Sequence, residues 1–523
     1  MFEFLKRRWM LMVVLLVFTI CKIPHLPYAY YWDESWPYMS AIKAMYNHGI
    51  SLSPGAMDVD LSRGHPLLFH ALAAGWMKLF GCSHIATHSF ALFVSLVLLI
   101  ALYEAGLSIF NQRVAIMATI LVATQELFFV QSSFMLPEVL VALLAFLSLC
   151  FYIRDRYLLA AISLTALFFT KESGMVMGLV LGFDALVGAF NSGTPLRIRL
   201  SRLGAIAIPC ILIGVFFLIQ KQMRGWYVFP YHTEIMEHSW KAFWYKFRMA
   251  CMRDVFYLNY KYYYFLLFAV LAIGAAIKNK AKSYLVVLLP VVIIYYFVDD
   301  LRAGRLLPPI PFFLVFIGAV FYFLYIFGGA TLFQYPAQRR LIRLAGLFIL
   351  CFICFSTINF YTNRYLIAAI VPLMFILASF YDALVTATYK PIFYGVVVFI
   401  LVLAGISIKT NDDYGDTNLG AYKAMAIQQS MVTWLEDNNA YDKSIGAGSF
   451  MAKQHLLLPE TGFLKSDKVF RNVKWDIDKA TNYTVFDNIE PDNRYNDIIK
   501  DSSWHLVFRK ADGKIWTEIY GRK

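Results

Sequence analysis

Charge is scarce in this sequence. Asp, Glu, Lys and Arg supply 15% of its 523 residues, against 60% apolar. A soluble domain carries about 25% charged and about 45–50% apolar residues, so a series of ordinary soluble domains is excluded. Cysteine is also scarce. The seven present show no metal-ligand spacing, and the one Cys-x-x-Cys, Cys351 and Cys354, lies inside an apolar run and reads as packing. Acid is short relative to base, giving a formal charge of +13. In a soluble chain that excess would raise nucleic acid as a partner. Here Lys and Arg cluster between apolar runs, so the excess reads as membrane topology and no nucleic-acid partner is expected. A cleavage site is lacking too. Met1–Ile23 has a basic start but no small-residue site, and is read as a retained first span.

Apolar runs dominate instead. They recur at about 15–22 residues, the length a helix needs to cross a hydrocarbon layer of about 30 Å. About 13 candidate spans run from Trp9–Ile23 to Ile392–Ile408. Among them are Val114–Val130, Tyr157–Thr170, Leu203–Gln220, Tyr262–Ile277, Tyr284–Val298 and Leu306–Phe327. With the N-terminus in the cytoplasm, every even-numbered junction carries Lys or Arg, including Arg154, Arg156, Arg199, Arg202, Arg339 and Arg340. An odd number of spans then puts the tail outside. The expected fold is a polytopic α-helical membrane protein with a transmembrane module over residues 1–408. Long outer loops are expected at about 24–88 and 221–261. Residues 409–523, where composition turns soluble, are expected to form a small α/β domain on the outer side, with a helix at Gly420–Asn438 and strands at Lys443–Ser449, Tyr483–Asp487, Trp504–Arg509 and Ile515–Tyr520.

Ionisable residues at membrane depth are costly and mark paired or functional positions. On this topology they gather at the outer ends of spans: Asp33 and Glu34 after the first, Glu138 opening the fourth, Lys171 and Glu172 ending the fifth. Asp299, Asp300, Arg302 and Arg305 end the ninth, and Arg364 ends the eleventh. Any one of these reads equally well as a water-boundary residue. As a set they form a mixed-charge outer face, and Glu138 and Lys171 sit among apolar neighbours where a charge needs a partner.

These residues carry a resemblance. Tyr31-Trp32-Asp33-Glu34-Ser35 resembles the acidic pair of the GT-C glycosyltransferases, in particular the protein O-mannosyltransferases and the lipid A aminoarabinose transferases. Arg63-Gly64-His65-Pro66-Leu67-Leu68 resembles the His-Pro-Pro-Leu segment, with one Pro instead of two. Ser133–Glu138 resembles the segment of the second acidic residue, here Glu. Thr170-Lys171-Glu172-Ser173-Gly174 resembles Thr-Lys-x-x-Gly, and Asn363-Arg364-Tyr365-Leu366 the late Arg-Tyr-Leu segment. The resemblance covers about residues 1–410.

It implies a GT-C fold and transfer of a sugar from a polyprenyl-phosphate donor to a protein, lipid or glycan acceptor on the outer face. It also implies an integral protein of a bacterial inner (plasma) membrane, in contact with membrane lipids, with site and C-terminus on the periplasmic side. Asp33 would be the general base. Glu34 would orient it, bind acceptor or hold a divalent metal, a cofactor requirement left open. Lys171, Arg302, Arg305 and Arg364 would hold the donor phosphate, with Tyr365 and Glu138 as further substrate contacts. His65 reads equally as a loop histidine capping backbone before Pro66 or as a contact to acceptor or metal. A transporter or flippase of lipid-linked sugars is the first alternative. Against it stand the lack of an internal repeat and the gathering of charge at one surface rather than at mid-membrane. A polysaccharide polymerase or ligase is the second.

Overall fold

The computed structural model describes residues 2–190, 193, 195–251, 333, 335–359, 361–385, 390–410, 413–466 and 468–523. The spans expected at Tyr262–Ile277, Tyr284–Val298 and Leu306–Phe327, together with Arg302 and Arg305, lie outside the described residues. Among those described, five helices are long and apolar enough to cross a membrane, and six shorter apolar helices accompany them. This is an integral membrane protein.

Two units emerge from the internal contacts. The first comprises Met1–Val17, Leu96–Gln125 and Leu140–Gly405. The second comprises Phe18–Ser95, Glu126–Val139 and Ile406–Lys523.

Among the described residues up to Thr410, the α-helices of six residues or more are α1 (Phe2–Lys22), α2 (Ser40–His48), α3 (Leu68–Phe80), α4 (His84–Ile109), α5 (Gln112–Ala123), α6 (Glu126–Gln131), α7 (Glu138–Ile153), α8 (Tyr157–Thr170), α9 (Met175–Ala189), α10 (Leu196–Arg224), α11 (Trp240–Arg248), α12 (Pro336–Ile358), α13 (Ile367–Val385) and α14 (Lys390–Thr410). α8 coincides with its expected span. α10 outruns Leu203–Gln220 at both ends, because its basic first turns continue the helix. It stops where Gly225 takes a left-handed φ of 85° and its N–H closes on the Lys221 carbonyl at 3.0 Å.

The span expected over Val114–Val130 is corrected: it is two helices, α5 and α6. The Thr124 hydroxyl donates to the Ile120 carbonyl at 2.7 Å, and the Gln125 amide donates to the Leu121 carbonyl at 2.9 Å. These side chains compete with the next backbone N–H groups for the last carbonyls, and α5 ends. Twelve residues rise only about 18 Å, short of the hydrocarbon thickness.

Within the first unit, three basic junctions meet. Arg340 bonds Asp184 at 2.6 Å and lies 3.7 Å from Asp155, and Arg202 lies 3.8 Å from Asp155. The loops after α7, α9 and before α12 therefore share one end of these helices.

Within the second unit, the chain after α14 builds α15 (Gly420–Asp437), β1 (Ser444–Ala447), α16 (Phe450–Leu457), β2 (Asn472–Lys474), β3 (Tyr483–Asp487), β4 (Trp504–Asp512) and β5 (Ile515–Arg522). The sheet runs β2-β1-β3-β5-β4. β1 is parallel to both β2 and β3, whereas β5 is antiparallel to β3 and to β4. Its core joins Met431, Leu435, Ile445, Val485 and Ile519, and it includes Ala29 from the first long loop. That loop is pinned again where the Tyr30 N–H donates to the Thr461 carbonyl at 3.0 Å. Gly462, with φ +80°, is needed there: a Cβ would overlap the His84 ring.

Candidate active site

The acidic turn belongs to the second unit. Past the end of α1 the chain leaves the helix, and Trp32–Glu34 forms a single 3-10 turn. The turn separates its two carboxylates. Glu34 is fully buried and Asp33 is half-buried. The Glu34 carboxylate accepts from the Met135 N–H at 2.6 Å and from the Tyr31 N–H at 3.1 Å, and it meets His88 Nε2 at 2.9 Å. His88 Nδ1 lies 2.8 Å from the Leu26 carbonyl, which only accepts, so Nδ1 carries a hydrogen. A neutral ring would then turn a lone pair toward Glu34. The contact therefore holds a proton between Nε2 and the carboxylate, and the pair carries no net charge. Both Glu34 oxygens are committed to holding the turn.

Around the turn, partners distant in sequence close the loop. The Tyr31 hydroxyl donates to the Tyr414 carbonyl at 2.6 Å, and burial raises its pKa well above the usual phenol range. Gln131 donates to the Asp416 carbonyl at 2.6 Å, and Glu126 accepts from the Leu419 N–H at 2.8 Å. Glu138, the first residue of α7, is buried in this unit. His65 is half-buried, with its N–H on the Ser62 carbonyl at 2.9 Å. The preceding Arg63 lies with its guanidinium carbon 4.9 Å from the Trp36 ring centre, which brings this segment beside the chain just after the acidic pair.

One charged residue near the turn escaped the sequence reading. Lys22, at the end of α1, is fully buried. Its ammonium donates to the Phe129 carbonyl at 2.7 Å and to the Tyr422 hydroxyl at 2.6 Å, and it stands 4.4 Å over the Phe129 ring. The available signal was its place: a lysine at the far end of the first apolar run, on the side where the charge pattern puts few.

The cationic group belongs to the first unit. α8 ends at Thr170, Lys171 is extended at φ −164° and ψ 144°, and a 3-10 turn over Glu172–Gly174 leads into α9. The turn is tight because Gly174 packs on the preceding helix: a Cβ there would lie 2.5 Å from Leu167 Cγ. Lys171 is nearly buried, and its ammonium stands 4.2 Å over the Tyr365 ring centre. Buried Arg364 reaches the same ring, with its guanidinium carbon at 5.5 Å. Two of the four expected phosphate cations thus share one aromatic ring. Among the described residues, no group of three or more His, Cys, Asp or Glu is placed to hold a metal ion.

No protein-family model matches the sequence, and no curated protein matches it. Solved structures do. ArnT from Cupriavidus metallidurans bound to undecaprenyl phosphate aligns at TM-score 0.50 with 12% identity over 98% of each chain. The same protein in the apo state aligns at 0.50 with 13% identity over 97% of each. The archaeal oligosaccharyltransferase AglB from Archaeoglobus fulgidus, in complex with an inhibitory peptide and a dolichol-phosphate, aligns at 0.40 with 12% identity, covering 92% of this chain and 70% of that one.

Proposed function

Since the chain has the GT-C superfamily fold, we propose that it is a glycosyltransferase that takes a sugar from a polyprenyl phosphate and places it on an acceptor hydroxyl or amine. The observation that carries the assignment of roles is the contrast inside the acidic pair. Glu34 is fully buried and holds the turn, whereas Asp33 on the same turn is half-buried, so solvent or an acceptor reaches it and not Glu34.

Asp33 takes the proton of the acceptor as its oxygen or nitrogen attacks the anomeric carbon. The bond from that carbon to the donor phosphate breaks, and its electron pair leaves with the polyprenyl phosphate. The reacting carbon passes through an oxocarbenium-like state, as in glycoside hydrolysis. Lys171 and Arg364, joined by Arg302 and Arg305, neutralise the phosphate as its charge grows, and Arg does so through a bidentate fork. Glu34 acts through position, with His88 and Met135 behind it. Glu138 and His65 serve the sugar and the acceptor. The site and the 409–523 domain face the periplasm of a bacterial inner membrane, with residues 1–408 as the transmembrane module. ArnT, whose fold this chain shares, is bound to undecaprenyl phosphate, and the donor class is proposed by that likeness.

The test is Asp33→Asn in purified protein with a polyprenyl-phosphate sugar. The variant keeps shape and most hydrogen bonding but accepts no proton at neutral pH. Transfer falls at least about 10²-fold, the scale of a lost general base, while donor binding stays. Near-normal transfer removes Asp33 from the mechanism.

A further inference from the structure

A strip of rings and cations lines the second unit next to the acidic turn. At one end Arg63 stands 4.9 Å from the Trp36 ring centre. Trp36 meets the Phe450 ring edge-on, with centroids 6.0 Å apart. Phe450 lies within 21° of parallel to Trp475 at 6.4 Å. At the other end the Lys453 ammonium stands 4.9 Å over the Trp475 ring. The first pair comes from the long first loop. Phe450 and Lys453 come from α16, and Trp475 directly follows β2.

Core packing does not account for the strip. Phe450 is 39% and Trp475 43% exposed, although burying such rings is favourable. Single exposed apolar residues need no explanation. Three rings in series from three chain segments, with a cation over each end ring, are a different case.

We propose that this strip binds an anionic glycan through its pyranose rings, and that this glycan is the acceptor. The apolar C–H face of a pyranose settles on the electron-rich face of an aromatic ring, and its hydroxyls project sideways to polar groups. The two terminal cations suit a carboxylate, sulfate or phosphate on the sugar. Trp36 lies three positions after Asp33, so the strip begins at the turn that carries the base. Its role as acceptor site rests on the transferase reading; glycan binding itself does not.

Calorimetric titration of the full-length protein in neutral-lipid nanodiscs tests this, with tetragalacturonic acid and maltotetraose as the charged and neutral probes. The charged tetrasaccharide binds more tightly. Trp475→Ala weakens it at least about fivefold, Lys453→Ala reduces the preference for charge, and Lys510→Ala, an equal change of charge on β4 at the opposite edge of the sheet, leaves binding as in the parent. Equal binding by parent and Trp475→Ala, or no binding of either probe, overturns the proposal. Binding of glycerophosphoglycerol in place of both saccharides assigns the strip to the bilayer surface and also overturns it. Saccharide binding as expected, with no transfer from any polyprenyl-phosphate donor, would sink the transferase reading and leave the glycan site standing.

Discussion

The acidic turn and the lysine junction are both sharp breaks beside helices, yet they are held by opposite means. Glu34 is fixed by directional bonds to groups far along the chain, the His88 ring and the Met135 N–H. Lys171 is shaped by its own neighbourhood: its N–H closes on the Leu167 carbonyl at 3.2 Å, and the Gly174 N–H closes on the Lys171 carbonyl at 3.0 Å. The first region spends a charged group to fix a backbone. The second uses a local turn and an aromatic face to present a charged group. A buried carboxylate with both oxygens engaged is architecture; an ammonium over a ring keeps the character of a point charge.

Four substitutions break or sharpen that contrast, from the largest effect to the smallest. Glu34→Leu strips the Met135 N–H and the His88 ring of their buried partner. It costs about 3–5 kcal/mol, the scale of a broken buried pair, read as loss of folded protein in detergent. Glu34→Gln retains a side-chain acceptor and is milder. If the leucine variant folds like the parent, the turn does not depend on Glu34.

Asp33→Asn comes second. It leaves thermal stability close to that of the parent and lowers transfer at least about 10²-fold. A variant that unfolds instead would show that both carboxylates are architecture, and the contrast within the pair would vanish.

Lys171→Ala comes third. It weakens donor binding by about tenfold or more, since a charge-assisted bond contributes about 1.5–3 kcal/mol, with little change in unfolding temperature. Normal donor affinity together with lost stability would make the lysine structural.

Gly174→Ala is the smallest. Its Cβ meets the Leu167 side chain, and overpacking of this kind costs about 1–3 kcal/mol. The effect appears as a lower unfolding temperature, with a shift in donor affinity because the turn carries Lys171. Unchanged stability would mean that Leu167 yields freely and that the tight turn is not what the glycine provides.

The same contrast governs how much was legible in the sequence. Elements set by local pattern read well: α8 and β3 fall on the expected bounds, and the Thr170–Gly174 junction shows in its residue order. The break between α5 and α6 was missed because Thr124 and Gln125 look tolerable in an apolar run, and only their bonds to the preceding carbonyls end the helix. α2 and α3 fall inside the stretch expected as a long outer loop, because Gly, Pro and His interrupt its apolar pattern. In the tail, α16 and β2 are too brief for periodicity to show. For the candidate site, residue type and order name the acidic pair, and the family resemblance assigns Asp33 and Glu34 different roles, but neither supplies the physical difference between them. What separates Asp33 from Glu34 is burial and the partners His88 and Met135, which no local window contains. Lys22 was overlooked for the same reason, since its partners Phe129 and Tyr422 lie far along the chain.

The place of Ala29 in the core of the C-terminal sheet has a consequence for biosynthesis. Met431, which packs in the same core, is made about 400 residues after Ala29. At about 5–20 residues per second, the first loop waits about 20–80 seconds before the segment that completes it exists. A ribosome that stops early releases a chain whose acidic turn lacks its Tyr414 and Thr461 anchors. Assembly of the turn therefore doubles as a check that synthesis has passed Thr461.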